Sequence, residues 1–107
     1  METSRKKNSK IFKALGDETR LQILDLLRNG AYCACELLEK VEIGQSSLSY
    51  HMKILLESEI VESKQDGKWI YYNISEIGRE NAINILTEIT KINSIEKREN
   101  YCKSEKC

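Results

Sequence analysis

Two cysteines with one residue between them, Cys33 and Cys35, carry the most reactive side chains of the sequence, and Glu36 follows them. The spacing from Cys33 to Glu36 is that of a capping box, in which Ser or Thr begins a helix and Glu lies three residues later. We therefore predict that Cys33 is the N-cap of a helix, although a thiol is not among the preferred caps. A helix N-terminus favours the thiolate, and thiolates bind soft ions such as zinc, cadmium, lead and trivalent arsenic. The pair is interpreted as a site for such ions; the alternative is that each cysteine is a small buried hydrophobe.

The geometry of this pair would couple ion binding to the start of the helix. Side chains two residues apart on a regular helix point about 200° apart, so both sulfurs face one ion only if Cys33 stays outside the helix or the first turn distorts. Ion binding would then strain this helix and, through it, the helix packed against it. This hypothesis of allostery depends on different affinities for two conformations.

Two further cysteines, Cys102 and Cys107, lie in the charged segment 96–107, which has almost no apolar residue to bury. Trivalent arsenic favours a pyramid of three sulfurs, and the first pair supplies only two. We expect the segment to be a flexible tail that supplies a ligand, and we favour Cys102 because its shorter tether loses less entropy on ordering. The alternatives are a separate site made by both tail cysteines, or cysteines that are at the surface by chance.

Two short predicted helices, 33–41 and 45–58, are joined by a turn that contains Gly44, which is typical of a helix-turn-helix. In such a motif the N-terminal side chains of the second helix reach base edges in the major groove of DNA. The predicted DNA contacts of this helix are Gln45, Ser46, Ser47, Ser49, Tyr50, His51 and Lys53. For His51, a local hydrogen bond is an equal alternative. For the whole set, the alternative is a solvated polar face without a DNA partner.

The hydrophobic period changes after this helix. Segments 60–65 and 68–74 are strand-like, and Asp66-Gly67 between them is a strong signal for a two-residue hairpin turn. Lys64 and Lys68 flank the turn and are predicted to follow the DNA backbone. A hairpin directly after a helix-turn-helix indicates a wing, so the predicted fold is mainly α with a small β-hairpin, a winged helix-turn-helix.

Further helices are predicted on both sides of this unit. One covers 4–15, a second lies between an Asp17 N-cap and a stop at Asn29-Gly30, and the last covers 75–95. The last helix carries a nearly unbroken apolar stripe: Ala82, Ile85, Leu86, Ile89, Ile92 and Ile95. A monomer would expose this stripe, so we predict that it is the interface of a homodimer, helped by the first helix.

Length and composition agree with one domain over 1–95 followed by the tail 96–107. The chain has 107 residues, equal numbers of acidic and basic side chains, and 32% charged residues. No apolar run approaches the ~20 residues that a membrane-spanning helix needs, so no membrane partner and a cytoplasmic location are expected. Because cytosolic thiols stay reduced, the cysteines are interpreted as ligands or redox sensors rather than as disulfides. No catalytic constellation or phosphate loop is present, which argues against an enzyme.

Three ordered segments resemble the ArsR/SmtB family of metal-sensing repressors. The segment 14–24, ALGDETRLQIL, resembles the opening signature of that family; 45–53, QSSLSYHMK, resembles its recognition helix, and 67–74, GKWIYYNI, resembles its wing. The resemblance covers roughly 8–92 and implies a dimeric winged-helix repressor that leaves its operator DNA when it binds an inducer. The cysteine pair also resembles that of the arsenic-, cadmium- and lead-responsive branches. Where many arsenic repressors have a further cysteine, this chain has Leu38, so the third ligand is not assigned by the resemblance.

Together, these observations predict that the protein is a repressor that needs no cofactor for folding. Trivalent arsenic or antimony is expected to release it from DNA. Zinc on the dimer helix, another mode in this family, is disfavoured because 75–95 contains no His. Three alternatives stay open: a thiol redox repressor, a cadmium- or lead-responsive repressor, and a winged-helix module that binds proteins instead of DNA.

Overall fold

The computed structural model describes residues 3–94, so the predicted tail ligands Cys102 and Cys107 lie outside the described residues. Five helices and three strands occur within this range. In chain order they are α1 (Ser4–Leu15), α2 (Glu18–Leu27), β1 (Tyr32–Cys33), α3 (Ala34–Val41), α4 (Gln45–Glu57), β2 (Val61–Asp66), β3 (Trp69–Ile74) and α5 (Glu76–Ile89). Helix, helix-turn-helix, hairpin and final helix follow in the predicted order, and the mainly α fold with a small hairpin is confirmed.

Polar side chains cap the N-termini of the first two helices. The Thr3 hydroxyl accepts a hydrogen bond from the backbone N–H of Lys6 at the start of α1. The predicted N-cap Asp17 is confirmed, because its carboxylate accepts from the backbone N–H of Arg20 at 3.1 Å. Both bonds satisfy donors that a helix start leaves without an intrahelical partner.

The core lies between the helix-turn-helix and the hairpin. Its most deeply buried large side chains are Ile23 of α2, Leu37 of α3, Leu55 of α4 and Val61 of β2. Each of these elements therefore contributes an apolar face to one shared core. Burying such side chains is the main favourable contribution to folding, and here it fixes α4 relative to the wing.

The sheet contains a strand that the sequence did not indicate. Its order is β1-β3-β2, with both pairs antiparallel. In the short pair, Tyr32 lies opposite Tyr72, and Cys33 lies opposite Tyr71. Two residues are too few to show an alternating pattern, which is why the strand was missed.

The hairpin turn lies one residue later than predicted. Asp66 still pairs with Trp69, so the two loop residues are Gly67 and Lys68 rather than Asp66 and Gly67. Gly67 adopts a φ of 63°. Glycine takes this conformation at the first central position of a turn without steric cost, which explains the shift.

Helix α5 ends earlier than predicted. It stops at Ile89 with Thr90 as the C-cap, so Ile92 lies beyond the helix and Ile95 lies outside the described residues. The Thr90 hydroxyl donates to the carbonyl of Leu86 at 2.6 Å, and the sequence continues with Asn93 and Ser94. Asn93 and Ser94 are poor helix formers, so apolar spacing alone overestimated the length of α5. Among the described residues, no helix is both long and apolar enough to cross a membrane.

Candidate nucleic-acid interface and cysteine site

One face of α4 is polar and exposed. The exposed side chains are Gln45, Ser46, Ser47, Ser49, Tyr50 and Lys53. The opposite face carries Leu48, Met52 and Leu55, which are buried in the core. The helix is thereby held with its polar face outward, the orientation that major-groove contact requires.

The wing places its two predicted phosphate contacts near its tip. Lys64 lies in β2, and Lys68 is the second residue of the turn; both side chains are exposed. Gly44 begins α4 without a side-chain hydrogen bond to the first turn. Helix start and wing thus present backbone N–H groups and lysines, the groups that contact phosphates in DNA complexes.

A buried arginine connects α4 to the first two helices. Arg20 is only 6% exposed. Its Nε donates to the carbonyl of Ala14 at 3.1 Å, and its Nη2 donates to the carbonyl of Lys13 at 2.7 Å. Its Nη1 lies 3.0 Å from Nδ1 of His51 on α4. One side chain therefore binds the last turn of α1 and the recognition helix together.

Asp17 completes this network. Its Oδ2 lies 4.0 Å from Nη1 of Arg20 and 3.7 Å from Nδ1 of His51. The backbone N–H of Arg20, and after it the charge of the guanidinium, hold the pKa of the Asp17 carboxyl below its usual value. The carboxylate is therefore the stable form beside the buried cation.

His51 differs from its exposed neighbours on α4. Its side chain is 14% exposed, and its ring meets that of Tyr50 edge to face with centroids 5.3 Å apart. The hydrogen-bond partner of its Nδ1 is Arg20 on α2, so this bond is not the local one considered from sequence. The sequence contained no signal for this pairing, because 31 residues separate the two partners.

Cys33 is the N-cap of α3, as predicted. Its backbone N–H donates to Oε1 of Glu36 at 3.0 Å, so the predicted capping box has its glutamate half in place. This hydrogen bond is the main cause that lowers the pKa of Glu36, and the Cys33 side chain adds to it. Cys33 has an extended backbone and thus stays outside the helix. This is one of the two arrangements in which both sulfurs of the pair can face one ion.

Cys33 belongs at the same time to β1, where it pairs with Tyr71 of the wing. Its side chain is half-buried, whereas Cys35 in the first turn of α3 is exposed. Within residues 3–94, no three His, Cys, Asp or Glu side chains are grouped to hold a metal ion. The described part of the chain contains two of the four predicted ligands, Cys33 and Cys35.

The predicted dimer face is present on α5 without Ile92. Ala82, Ile85, Leu86 and Ile89 follow each other at helical spacing, and Leu86 and Ile89 are 51% and 57% exposed. The only buried residue of α5 is Gly78. Glu80 and Glu88 lie away from the apolar side chains of α5 and are exposed, as expected for a solvated face.

The geometry defines a winged helix-turn-helix regulator, and comparison with known proteins identifies its family. Residues 17–63 match the bacterial regulatory protein arsR family. An arsenical resistance operon repressor from Staphylococcus aureus is 46% identical over 72 residues, which are 67% of this chain and 69% of that protein. The chain thus belongs to the ArsR family, and the prediction of a DNA-binding transcriptional regulator rather than an enzyme is confirmed.

Solved structures agree with this assignment. An ArsR-like transcriptional regulator from Rhodococcus sp. RHA1 superposes with a TM-score of 0.69 at 26% identity, over 78% of this chain and 76% of that one. A homodimeric winged helix-turn-helix DNA-binding domain from Mycobacterium bovis gives a TM-score of 0.63 at 25% identity, over 82% of this chain and 88% of that one.

Proposed function

We propose that this ArsR-family repressor acts as a homodimer on operator DNA in the cytoplasm, and that trivalent arsenic bound by Cys33 and Cys35 releases it. One observation carries the proposal: Cys33 is both the N-cap of α3 and a residue of the strand that pairs with the wing. A ligand bound to this thiol would act at the point where the helix-turn-helix meets the wing.

The proposed DNA contacts follow from the exposed surface. Gln45, Ser46, Ser47, Ser49 and Tyr50 meet base edges or phosphates, and Lys53, Lys64 and Lys68 meet phosphates. The apolar face of α5 joins two copies, which presents two α4 helices to two half-sites of a palindrome. The homodimeric relative from Mycobacterium bovis supports this assembly.

The nature of the inducer is supported by thiol chemistry and by relatives. Thiolates select soft ions, and the similar protein from Staphylococcus aureus is named an arsenical resistance operon repressor. A third sulfur, from Cys102 or Cys107, would complete the arsenic pyramid. Antimony, cadmium and lead share this ligand preference, so they are the competing inducers that a titration separates.

Release follows from two strained connections. An ion held by both cysteines pulls Cys33 towards the first turn of α3, which disturbs the hydrogen bond to Glu36 and the packing of α3 against α4. It also pulls β1 against β3, which moves the wing. The DNA-bound conformation then binds the ion more weakly than the released one, and this difference in affinity is the coupling free energy.

The test is a DNA-release titration. A duplex selected by the full-length protein from a random-sequence library is bound under reducing conditions, and As(III), Sb(III), Cd(II), Pb(II) or peroxide is added. We expect As(III) to release the wild type, and Cys33→Ser and Cys35→Ser to keep DNA affinity but resist release. Cys33→Ser binds DNA at least as well, because Ser is the better N-cap.

The control variant is Gln45→Ala. It should lose about 1–3 kcal/mol of DNA affinity, the value of a good base contact, while its thiols still bind As(III). In the same series, Cys102→Ser should weaken As(III) binding more than Cys107→Ser does. Release of the wild type by peroxide but not by As(III) would contradict the proposal in favour of the redox alternative. Absence of any DNA binding would favour the protein-interaction module.

A further inference from the structure

His51, the only histidine of the chain, lies on the recognition helix but is directed to the inside of the domain. Its neighbours Tyr50 and Lys53 are exposed, whereas its own ring is largely covered and contacts Arg20. A residue on the DNA-reading helix is thus bonded to a cation on another helix rather than presented to solvent.

The hydrogen bond fixes the chemical form of the ring. Arg20 is a permanent cation that only donates, so Nδ1 of His51 must be the acceptor. The proton of the neutral ring then lies on Nε2. Two other donors of Arg20 bind the carbonyls of Lys13 and Ala14, so its position is determined by α1 and not by α4.

We propose that His51 is a positioning residue for DNA binding: its Nδ1 accepts from Arg20 in the Nε2–H tautomer and thereby sets the orientation of α4 against α1 and α2. The proposal rests on the function proposed above for α4 as the DNA-reading helix. It reassigns His51 from a phosphate contact to a connection between helices.

The connection exists only with a neutral ring. A protonated ring carries a hydrogen on Nδ1, cannot accept from Arg20 and places a second cation beside it. The groups that face Nδ1 are the guanidinium of Arg20 and the Asp17 carboxylate at 3.7 Å, both on the α2 side; Tyr50 faces the ring from α4 itself.

Two isosteric variants separate positioning from phosphate contact. In His51→Asn the side-chain oxygen is as far along the chain as Nδ1, and in His51→Gln it is as far as Nε2. Full-length variants are titrated with the duplex selected by the wild type, and their folding is compared by circular dichroism and thermal unfolding. We expect His51→Asn to bind within about threefold of the wild type and His51→Gln to bind at least about tenfold more weakly.

One further readout does not depend on any variant folding. Nitrogen NMR of the single labelled histidine should show a proton on Nε2 and none on Nδ1 at neutral pH.

The opposite pattern would overturn the inference. It fails if His51→Gln binds like the wild type and His51→Asn does not, if both bind equally, or if the proton is on Nδ1. These outcomes differ from failure of the proposed function, because in that case the wild type itself would select no duplex.

Discussion

At the scale of single residues, Cys33 places a thiol at the N-cap of α3. A hydroxyl at this position would cap α3 better than a thiol. The helix start is maintained instead by Glu36, whose carboxylate accepts from the backbone N–H of Cys33. The proposed inducer therefore binds at a helix start that the Glu36 carboxylate stabilises.

This arrangement predicts a pH dependence of stability. The pKa of Glu36 is lowered in the folded protein, mainly by the Cys33 N–H. The stability that the ionised Glu36 adds to the folded protein is then present above the ordinary pKa of a glutamate. It is lost as the pH falls through the lower pKa that Glu36 has in the folded protein. We expect Glu36→Gln to be less stable than the wild type near neutral pH and to approach it in acid. Urea unfolding between about pH 6 and about pH 3 measures this, since that interval brackets glutamate titration. Glu39→Gln, on the exposed side of the same helix, is the control, and an equal pH dependence in both variants would contradict the assignment.

At the scale of elements, the position of α5 depends on one close approach. Gly78 lies so near the backbone carbonyl of Glu59 that a Cβ would collide with it. The Ser75 N–H donates to the carbonyl of Ile60 at 2.8 Å, and the Ser75 hydroxyl caps the helix by accepting from the Gly78 N–H. The start of α5 is thus bound to the segment that joins α4 to the wing.

Gly78→Ala should therefore destabilise the protein. At an exposed helical site this change stabilises by roughly 1 kcal/mol through helix propensity. Here the rigid backbone of Glu59 prevents accommodation, so we expect a net loss of about 1–3 kcal/mol, as for overpacking. Chemical denaturation measures it, and Glu80→Ala, at an exposed position of the same helix, should stay within about 0.5 kcal/mol of the wild type. A gain in stability from Gly78→Ala would show that α5 is not held at this contact.

The elements that the sequence predicted are those whose signals are local. Asp17, the spacing from Cys33 to Glu36, and the apolar period of α4 each lie within a few residues of the structure that they determine. The strand β1 and the Arg20–His51 bond were missed because both join segments far apart in the chain, which leaves no periodic trace. The end of α5 was placed too late because apolar spacing continues to Ile92, although the helix ends at Ile89 with Thr90 as its C-cap.

At the scale of the whole molecule, the protomer is incomplete on the side of α5. Leu86 and Ile89 are more than half exposed although they share one face with Ala82 and Ile85. An apolar face of this kind on a regulator that reads DNA indicates a second copy, since a two-fold axis would bury the face and duplicate α4. In the proposed dimer, α5 would set the distance between the two α4 helices.

The double variant Leu86→Glu with Ile89→Glu tests this assembly. Both side chains are exposed in the protomer, so the substitutions should leave its fold intact while placing four carboxylates at the two-fold axis of a dimer. We expect a monomer in sedimentation velocity and a loss of at least about tenfold in DNA affinity, because each protomer then binds one half-site without the other. Asn84→Glu is the matched control, since it adds the same side chain to the exposed opposite face of α5, and it should remain dimeric. If the double variant sediments as a dimer and binds DNA like the wild type, the two copies meet through another surface and α5 does not set the spacing of the recognition helices.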